Sequence, residues 1–339
     1  MKPTVLLRVL LASCLIVCAH AGAMTDLETA ELAKKAATGN VESVTLLERL
    51  ANAGETLAEH FMGVLHLGGR GVAQSETQAV EWFLRAAKKG HLESMHNLAV
   101  IYERSKGSLK DEQAARSWYR TAAQKGFARS QARLGELLAR GIGGPADGDE
   151  ARAWIEKASS QQEPRGQYLL GMLRMEGGAG IEYNVTEAAR LLGLAAASGE
   201  RDAQYELALL NGTGTGLPKS NAMALEWLEK SAAQGQPKAQ YYLARVYRAG
   251  LYGVKPDEKL AVGWLRKSAL QEFADAEYAL ALAYAEGQGV PQDARESFGW
   301  MRRAARHGHG EAIRIVRQIE GRLLAPKPPA AAPGSETKQ

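Results

Sequence analysis

The stretch Ala276-Glu-Tyr-Ala-Leu-Ala-Leu-Ala-Tyr-Ala-Glu-Gly-Gln-Gly-Val290, followed by Asp293 and by Trp300-Met-Arg-Arg-Ala-Ala305, decides the fold. Ala276, Leu280, Ala281 and Tyr284 fall on one face of an α-helix. The turn Gly287-Gln-Gly289-Val290-Pro291 interrupts that helix, and Asp293 carries a side-chain oxygen able to accept from the orphan N–H groups of a second helix start. Trp300 lies in this second helix. Moving outward, the same phase recurs along the chain: Trp82, Trp118, Trp154, Trp227, Trp264 and Trp300 are separated by 36, 36, 73, 37 and 36 residues, and Leu191 fills the midpoint of the long gap. A period of this length marks a solenoid, in which each unit buries its apolar face only by stacking on its neighbours.

Counting from the tryptophan gives the details. Seven residues before it stand Ser75, Asp111, Asp147, Asn184, Ser220, Asp257 and Asp293, all competent N-caps. Glu150, Glu187 and Glu296 follow their caps by three, the spacing of a capping box. Ala79, Ala115, Ala151, Ala188, Ala224 and Ala261, with Ser297 in the last unit, keep one seam small enough for a neighbouring helix. Gly90, Gly126, Gly199, Gly235 and Gly308 suit a left-handed helix stop, whereas Gln162 and Glu272 lack the glycine, so those two turns are expected to differ. Trp227 is expected to be buried between its own helix pair and the next. No segment shows a sustained alternating strand pattern.

The unit quoted above resembles a Sel1-like repeat, a short-period relative of the tetratricopeptide repeats. Seven such units cover residues 55–310. The resemblance implies an all-α fold, a right-handed superhelical solenoid of antiparallel helix pairs, and a role in assembling complexes, often in bacterial envelopes. It carries over no catalytic residue, because the family motif is a packing motif.

The remaining segments read as ends. Residues 1–23 fit a signal peptide, with Lys2 and Arg8, the apolar run Val9 to Val17, and small-x-small sites at Ala19-His-Ala21 and Ala21-Gly-Ala23. Leu11-Ala-Ser-Cys14 resembles a lipobox, but Arg8 leaves little apolar stretch before Cys14, so a cleaved, periplasmic or secreted chain without a membrane span is the expectation. Both cysteines, Cys14 and Cys18, lie in this leader, and cleavage would leave no thiol for a disulfide, a metal site or nucleophilic catalysis. Residues 24–54 read as a degenerate capping repeat that opens at Thr25-Asp-Leu-Glu28. Residues 311–324 read as a lone capping helix with Ile315, Val316, Ile319 and Leu323 inward and Arg314, Arg317 and Arg322 outward. Residues 325–339, rich in proline and alanine, read as a disordered tail.

Charge narrows the function. The chain has 42 basic and 38 acidic residues, and without Lys2 and Arg8 the balance falls to 40 against 38. Eight basic and three acidic residues lie from Met301 onward, so the repeats are close to neutral and give no support to nucleic-acid binding. His60 and His96 occupy the slot of Tyr168, Tyr205, Tyr241 and Tyr278, and His66 aligns with Tyr102, Tyr247 and Tyr284. These histidines therefore read as aromatic framework rather than metal ligands; no metal or cofactor is expected. His307 and His309 read as solvated. Ser335-Glu-Thr-Lys338 matches the first motif of serine penicillin-binding enzymes by chance, and Gly212-Thr-Gly-Thr-Gly216 reads as an inter-helix turn rather than a phosphate loop.

One surface stands out. Positions 14, 18 and 21 after the tryptophan share an arc away from the apolar stripe, and in tetratricopeptide-like stacks this arc lines the concave groove. It reads Tyr168, Met172 and Met175, then Tyr205 and Leu209, then Tyr241, Arg245 and Arg248, then Tyr278 and Leu282. Tyrosine, methionine and arginine favour protein interfaces; the competing account is that the tyrosines pack against the next unit. The chain is accordingly expected to be a non-enzymatic scaffold that binds a protein or peptide in the cell envelope, with an envelope or polysaccharide-export complex as its setting. The alternatives are a β-lactam-binding or hydrolysing enzyme and a secreted factor that binds a host protein.

Overall fold

A computed structural model describes residues 24–177 and 180–324. The leader, with its cleavage sites and Cys14, and the tail, with Ser335 and Lys338, lie outside the described residues. Among the described residues every regular element is helical, and the only β-type residue is a bridge at Ile181. The first pair is α1 (Asp26–Ala37) and α2 (Val41–Asn52). Seven pairs follow: α3 (Thr56–Gly68) and α4 (Glu76–Lys88), α5 (Leu92–Arg104) and α6 (Glu112–Gln124), α7 (Ala128–Arg140) and α8 (Gly148–Ser160), α9 (Pro164–Glu176) and α10 (Val185–Ala197), α11 (Arg201–Thr213) and α12 (Asn221–Ala233), α13 (Pro237–Ala249) and α14 (Glu258–Ala269), α15 (Ala274–Glu286) and α16 (Ala294–Arg306). The last helix, α17 (Gly310–Leu324), has no partner after it among the described residues. The first helix of each repeat is called A and the second, which carries the tryptophan phase, B. The chain is an all-helical solenoid of antiparallel helix pairs, divided into two compact units that end and begin at Gly166 and Gln167.

The helix starts follow the caps read from the sequence. Ser75, Asp111, Asp147, Asn184, Ser220, Asp257 and Asp293 each accept from a backbone N–H within the first turn. Thr25 and Glu28 form the reciprocal capping box. The other three boxes do not close. Glu150 accepts from Trp154 Nε1 at 3.1 Å and pairs with Arg120, Glu296 accepts from Trp300 Nε1 at 3.1 Å, and Glu187 holds Arg190. An indole or guanidinium on the next turn competes for the carboxylate that would otherwise reach back to the cap.

The B-helix stops also depart from expectation. Gly90, Gly126, Gly199, Gly235 and Gly308 take positive φ, and so do Gln162 (φ 60°) and Glu272 (φ 64°). Gln162 N and Glu272 N donate to Ser159 O and Ala269 O at 2.9 and 3.0 Å, the bond Gly90 makes to Ala87 O at 2.9 Å. The turn is the same with or without glycine, because the stacked helices on either side fix the path and a left-handed side chain costs only about 1–2 kcal/mol.

Each unit has its core along the A–B seam. The small positions Ala79, Ala115, Ala151, Ala188, Ala224 and Ala261 are buried. So is the residue after each tryptophan position: Phe83, Tyr119, Ile155, Leu192, Leu228, Leu265 and Met301. The tryptophans themselves are half-buried, which corrects the expectation for Trp227. Trp227 bridges the clusters around Leu207 and Leu243, with Lys230 Nζ 4.2 Å over its ring. Arg85, Lys157, Lys267 and Arg303 cover Trp82, Trp154, Trp264 and Trp300 in the same way. These five tryptophans thus seal the edge of a core and present the other face to a cation.

A polar ladder, interrupted by Met95 in the second repeat, runs through that core. The fourth residue of each A helix is Glu59, Met95, Gln131, Gln167, Gln204, Gln240 and Glu277, buried in every repeat. Gln131 donates to Ala123 O (3.1 Å) and accepts from Gln161 (2.6 Å). Gln204 does so with Ala196 O (3.1 Å) and Gln234 (2.8 Å), and Gln240 with Ala232 O (3.0 Å) and Gln271 (2.8 Å). In the first and seventh repeats the rung is ionic. Glu59 lies 3.0 Å from Arg85 and 2.8 Å from Lys89, while Glu277 lies 3.0 Å from Arg303 and 2.7 Å from His307. The rung is incomplete in the fourth repeat: Ser198 stands where the others have glutamine, lysine or histidine, and the buried Gln167 Oε1 has no protein hydrogen-bond partner.

At the C-terminal end, Ala312 and Val316 of α17 are buried and Ile315 is half-buried, but Ile319 is 37% exposed, contrary to the inward reading. Its counterpart Ala283 is covered by α16, and no following helix covers Ile319 among the described residues. The side chain of Leu323 lies outside the described residues.

Candidate functional site

The histidine slots resolve into framework. His60 Nδ1 lies 2.9 Å from Ser94 Oγ, with its ring against His91 and Phe83; His96 Nδ1 lies 3.0 Å from Ser130 Oγ, with its ring against Tyr119 and Phe127. Burial pushes both rings down to about 4, because the charged form loses water, and neighbouring cationic groups add to the shift. Where the slot holds Tyr168, Tyr205 or Tyr241, the residue facing it at the serine position is Ala203, Ala239 or Ala276, so the larger aromatic meets the smaller side chain. Among the described residues, no group of three or more histidine, cysteine, aspartate and glutamate side chains could hold a metal ion. His307 is exposed, as read, while its ring bonds Glu277; His309 is half-buried, stacks on Tyr278 at 4.1 Å and caps α17 through Ala312 N.

The A-helix face differs between the two units. In the unit ending at Gly166 it carries charges that neutralise one another. Arg133 pairs with Glu103 and, at 2.6 Å, with Glu136, and Arg165 lies 2.9 Å from Glu136. The buried Tyr119 hydroxyl donates to Glu103 at 2.9 Å. The sequence reading missed this network, whose members lie about one repeat apart and read singly as surface charges.

In the unit beginning at Gln167, the same face is aromatic and apolar. Tyr168, Met172 and Met175 are half-buried and pack on the cluster around Leu192 and Leu207. Tyr205 packs on the cluster around Leu228 and Leu243, with Leu209 half-buried beside it in sequence. Burial, then the charge of Glu206, pushes the Tyr205 hydroxyl up to about 12, and burial raises the Glu206 carboxyl. Five of the ten positions singled out from the sequence meet in one place. Tyr241, Arg245 and Arg248 of α13 and Tyr278 and Leu282 of α15, with Leu265 at its base, line a cavity of about 270 Å³. Its walls are mainly apolar, and its only charged lining groups are the two arginines. The structure does not bring Tyr168, Met172 and Met175 into this cavity.

The two arginines are unlike. Arg248 Nε lies 3.3 Å from Glu258 Oε2, and its Nη2 is buried without a hydrogen-bond partner. Arg245 is exposed, lies 5.9 Å from the Tyr241 ring and 5.6 Å from the Tyr242 ring, and has no ion-pair partner among the described residues. The ring faces hold its guanidinium at the rim without neutralising it.

With this geometry in hand, comparison with known proteins decides the family. The Sel1 repeat matches residues 56–91, 92–127, 128–163, 164–200, 201–236, 237–273 and 274–309. The chain belongs to the Sel1 repeat family. Sel1 repeats are typically protein-interaction scaffolds and generally non-enzymatic. Among solved structures, the Sel1 repeat protein of Oxalobacter formigenes is 28% identical, with 87% of this chain and 86% of that one covered and a TM-score of 0.58. A structure of c5321, described as a protective antigen of uropathogenic Escherichia coli strains with an SLR fold, is 29% identical over 92% of this chain and 67% of its own, with a TM-score of 0.57. No curated protein matches the chain. No helix among the described residues is long and apolar enough to cross a membrane.

Proposed function

We propose that this Sel1 repeat chain is a non-catalytic scaffold that holds a segment of a protein partner against the A-helix face of the repeats from Gln167 onward. The observation that carries the reading is the convergence of Tyr241, Arg245, Arg248, Tyr278 and Leu282 on one apolar cavity with a cationic rim. Aromatic and arginine side chains around an apolar pocket are the usual makers of binding hot spots. In the preceding unit, Arg133 on the A face pairs instead with Glu103 and Glu136. Tyr168, Met172, Met175, Tyr205 and Leu209 belong to the proposal as the flanking surface over which such a segment would extend.

An exported, periplasmic or secreted setting is part of the same proposal, supported by the leader pattern of residues 1–23 and by the resemblance to a chain described as a protective antigen. An envelope or polysaccharide-export complex is the proposed context. The test is affinity capture from envelope extract with tagged full chain. Arg245→Ala with Arg248→Ala should lose the captured partners, while Arg295→Ala with Arg306→Ala, on the B helix α16, should retain them. Equal recovery by both pairs overturns the assignment.

A further inference from the structure

Resting on that reading, we propose that the α13–α15 cavity is a socket for the C-terminal residue of a partner polypeptide, taking its apolar side chain between Tyr241 and Tyr278 and its free carboxylate at Arg245.

The slot of Arg245 argues for an anion. Its equivalents in the other repeats are Val64, Val100, Glu136, Met172, Leu209 and Leu282, so this repeat alone places a cation there. No acidic side chain lines the cavity. Glu258, the acid that pairs with Arg248, leaves Arg245 unpaired. A guanidinium supported on ring faces and lacking a counter-ion is ready for a charge-assisted, bidentate bond to a carboxylate.

The shape argues for a chain terminus over an internal acidic residue. About 270 Å³ accommodates one side chain of leucine or phenylalanine size rather than a length of chain. The apolar wall and the cation belong to this one compartment, since Ala244, Leu265, Ala279 and Leu282 line it together with Arg245. In an extended segment, successive side chains point to opposite sides. An internal glutamate and an apolar neighbour would therefore be directed apart, whereas a C-terminal residue carries its carboxylate and its apolar side chain on the same Cα.

The experiment is fluorescence anisotropy of labelled hexapeptides against the full chain at low salt, with peptide concentrations reaching the millimolar range. The probes are Gly-Ser-Gly-Ser-Gly-Leu as the free acid, the same peptide as its amide, and Gly-Ser-Glu-Leu-Gly-Ser as its amide. The free acid should bind at least roughly tenfold more tightly than either amide, the difference a charged hydrogen bond commonly makes. Arg245→Gln should erase that advantage without changing the circular dichroism or the melting curve. If acid and amide bind alike and cross-link to α13 and α15, the terminal-residue inference is overturned and the groove reading survives. The same holds if the internal-glutamate peptide equals the free acid. If none of the three reaches the A face, both are overturned.

Discussion

Exchanging one rung of the polar ladder for another tests whether the buried fourth position of the A helix is a modular support. In the seventh repeat the rung is Glu277, fully buried, with Arg303 at 3.0 Å and His307 at 2.7 Å. In the sixth it is Gln240, which accepts from Gln271 and donates to a carbonyl eight residues earlier. Glu277→Gln alone removes the negative charge behind two short bonds and replaces one of the two acceptor oxygens with a donor. Hydrogen bonds to charged groups contribute about 1.5–3 kcal/mol, and relief of the cost of burying a carboxylate offsets part of that, so a net loss of about 1–2 kcal/mol follows. Adding His307→Gln rebuilds the neutral rung: the new amide at position 277 can donate to Ala269 O and accept from the one at position 307. Arg303 keeps its place over Trp300, as Lys267 does over Trp264. The double variant should therefore recover about 1 kcal/mol relative to the sum of the singles, the net worth of a neutral hydrogen bond. Because repeat stability is local and nearest-neighbour in character, the assay is hydrogen exchange over residues 274–309, supported by urea midpoints. Additivity of the two substitutions to within about 0.5 kcal/mol would refute the modular rung.

Three further outcomes follow from the same geometry. Ser198→Gln should complete the rung at Gln167, stabilise the fourth repeat by about 1 kcal/mol and slow exchange in residues 164–200; faster or unchanged exchange there contradicts the ladder. Gln162→Gly and Glu272→Gly should each raise stability by a few tenths to about 1 kcal/mol, the relief of left-handed strain exceeding the added chain entropy, as read from melting midpoints. Stability should fall with acidification from about pH 6.5 to about pH 4, because His60 and His96 bind a proton more weakly folded than unfolded. The pair His60→Tyr with Ser94→Ala should flatten that slope, and a pH profile identical to that of the parent would count against it.

Much of the fold was legible because its signals are local and repeated. Cap residues, seam alanines and the A-helix stripe each state their role within one turn, and all were found where the spacing put them. The misses share a cause: partners that lie roughly a repeat away. Glu59, Gln131, Gln204 and Glu277 look solvated until Lys89, Gln161, Gln234 and His307 are brought to them. Glu150 and Glu296 fit a capping box, but the tryptophans competing for them belong to the next turn. Trp227 marked the repeat so plainly that it read as core, whereas the residue after each tryptophan position is the deeper one. Of the site, the arc of tyrosines and arginines was visible. That only its α13 and α15 members share a cavity required the packing of Leu265 beneath them.

Site-specific photo-crosslinking of the full chain, with the cross-linker placed at Leu282 or Tyr241 on the A-helix face and at Lys230 or Arg266 on the B helices, tests the central claim most directly. The account predicts that partner from envelope extract is captured from Leu282 and Tyr241 and not from Lys230 or Arg266. Capture from the B-helix positions alone would contradict it.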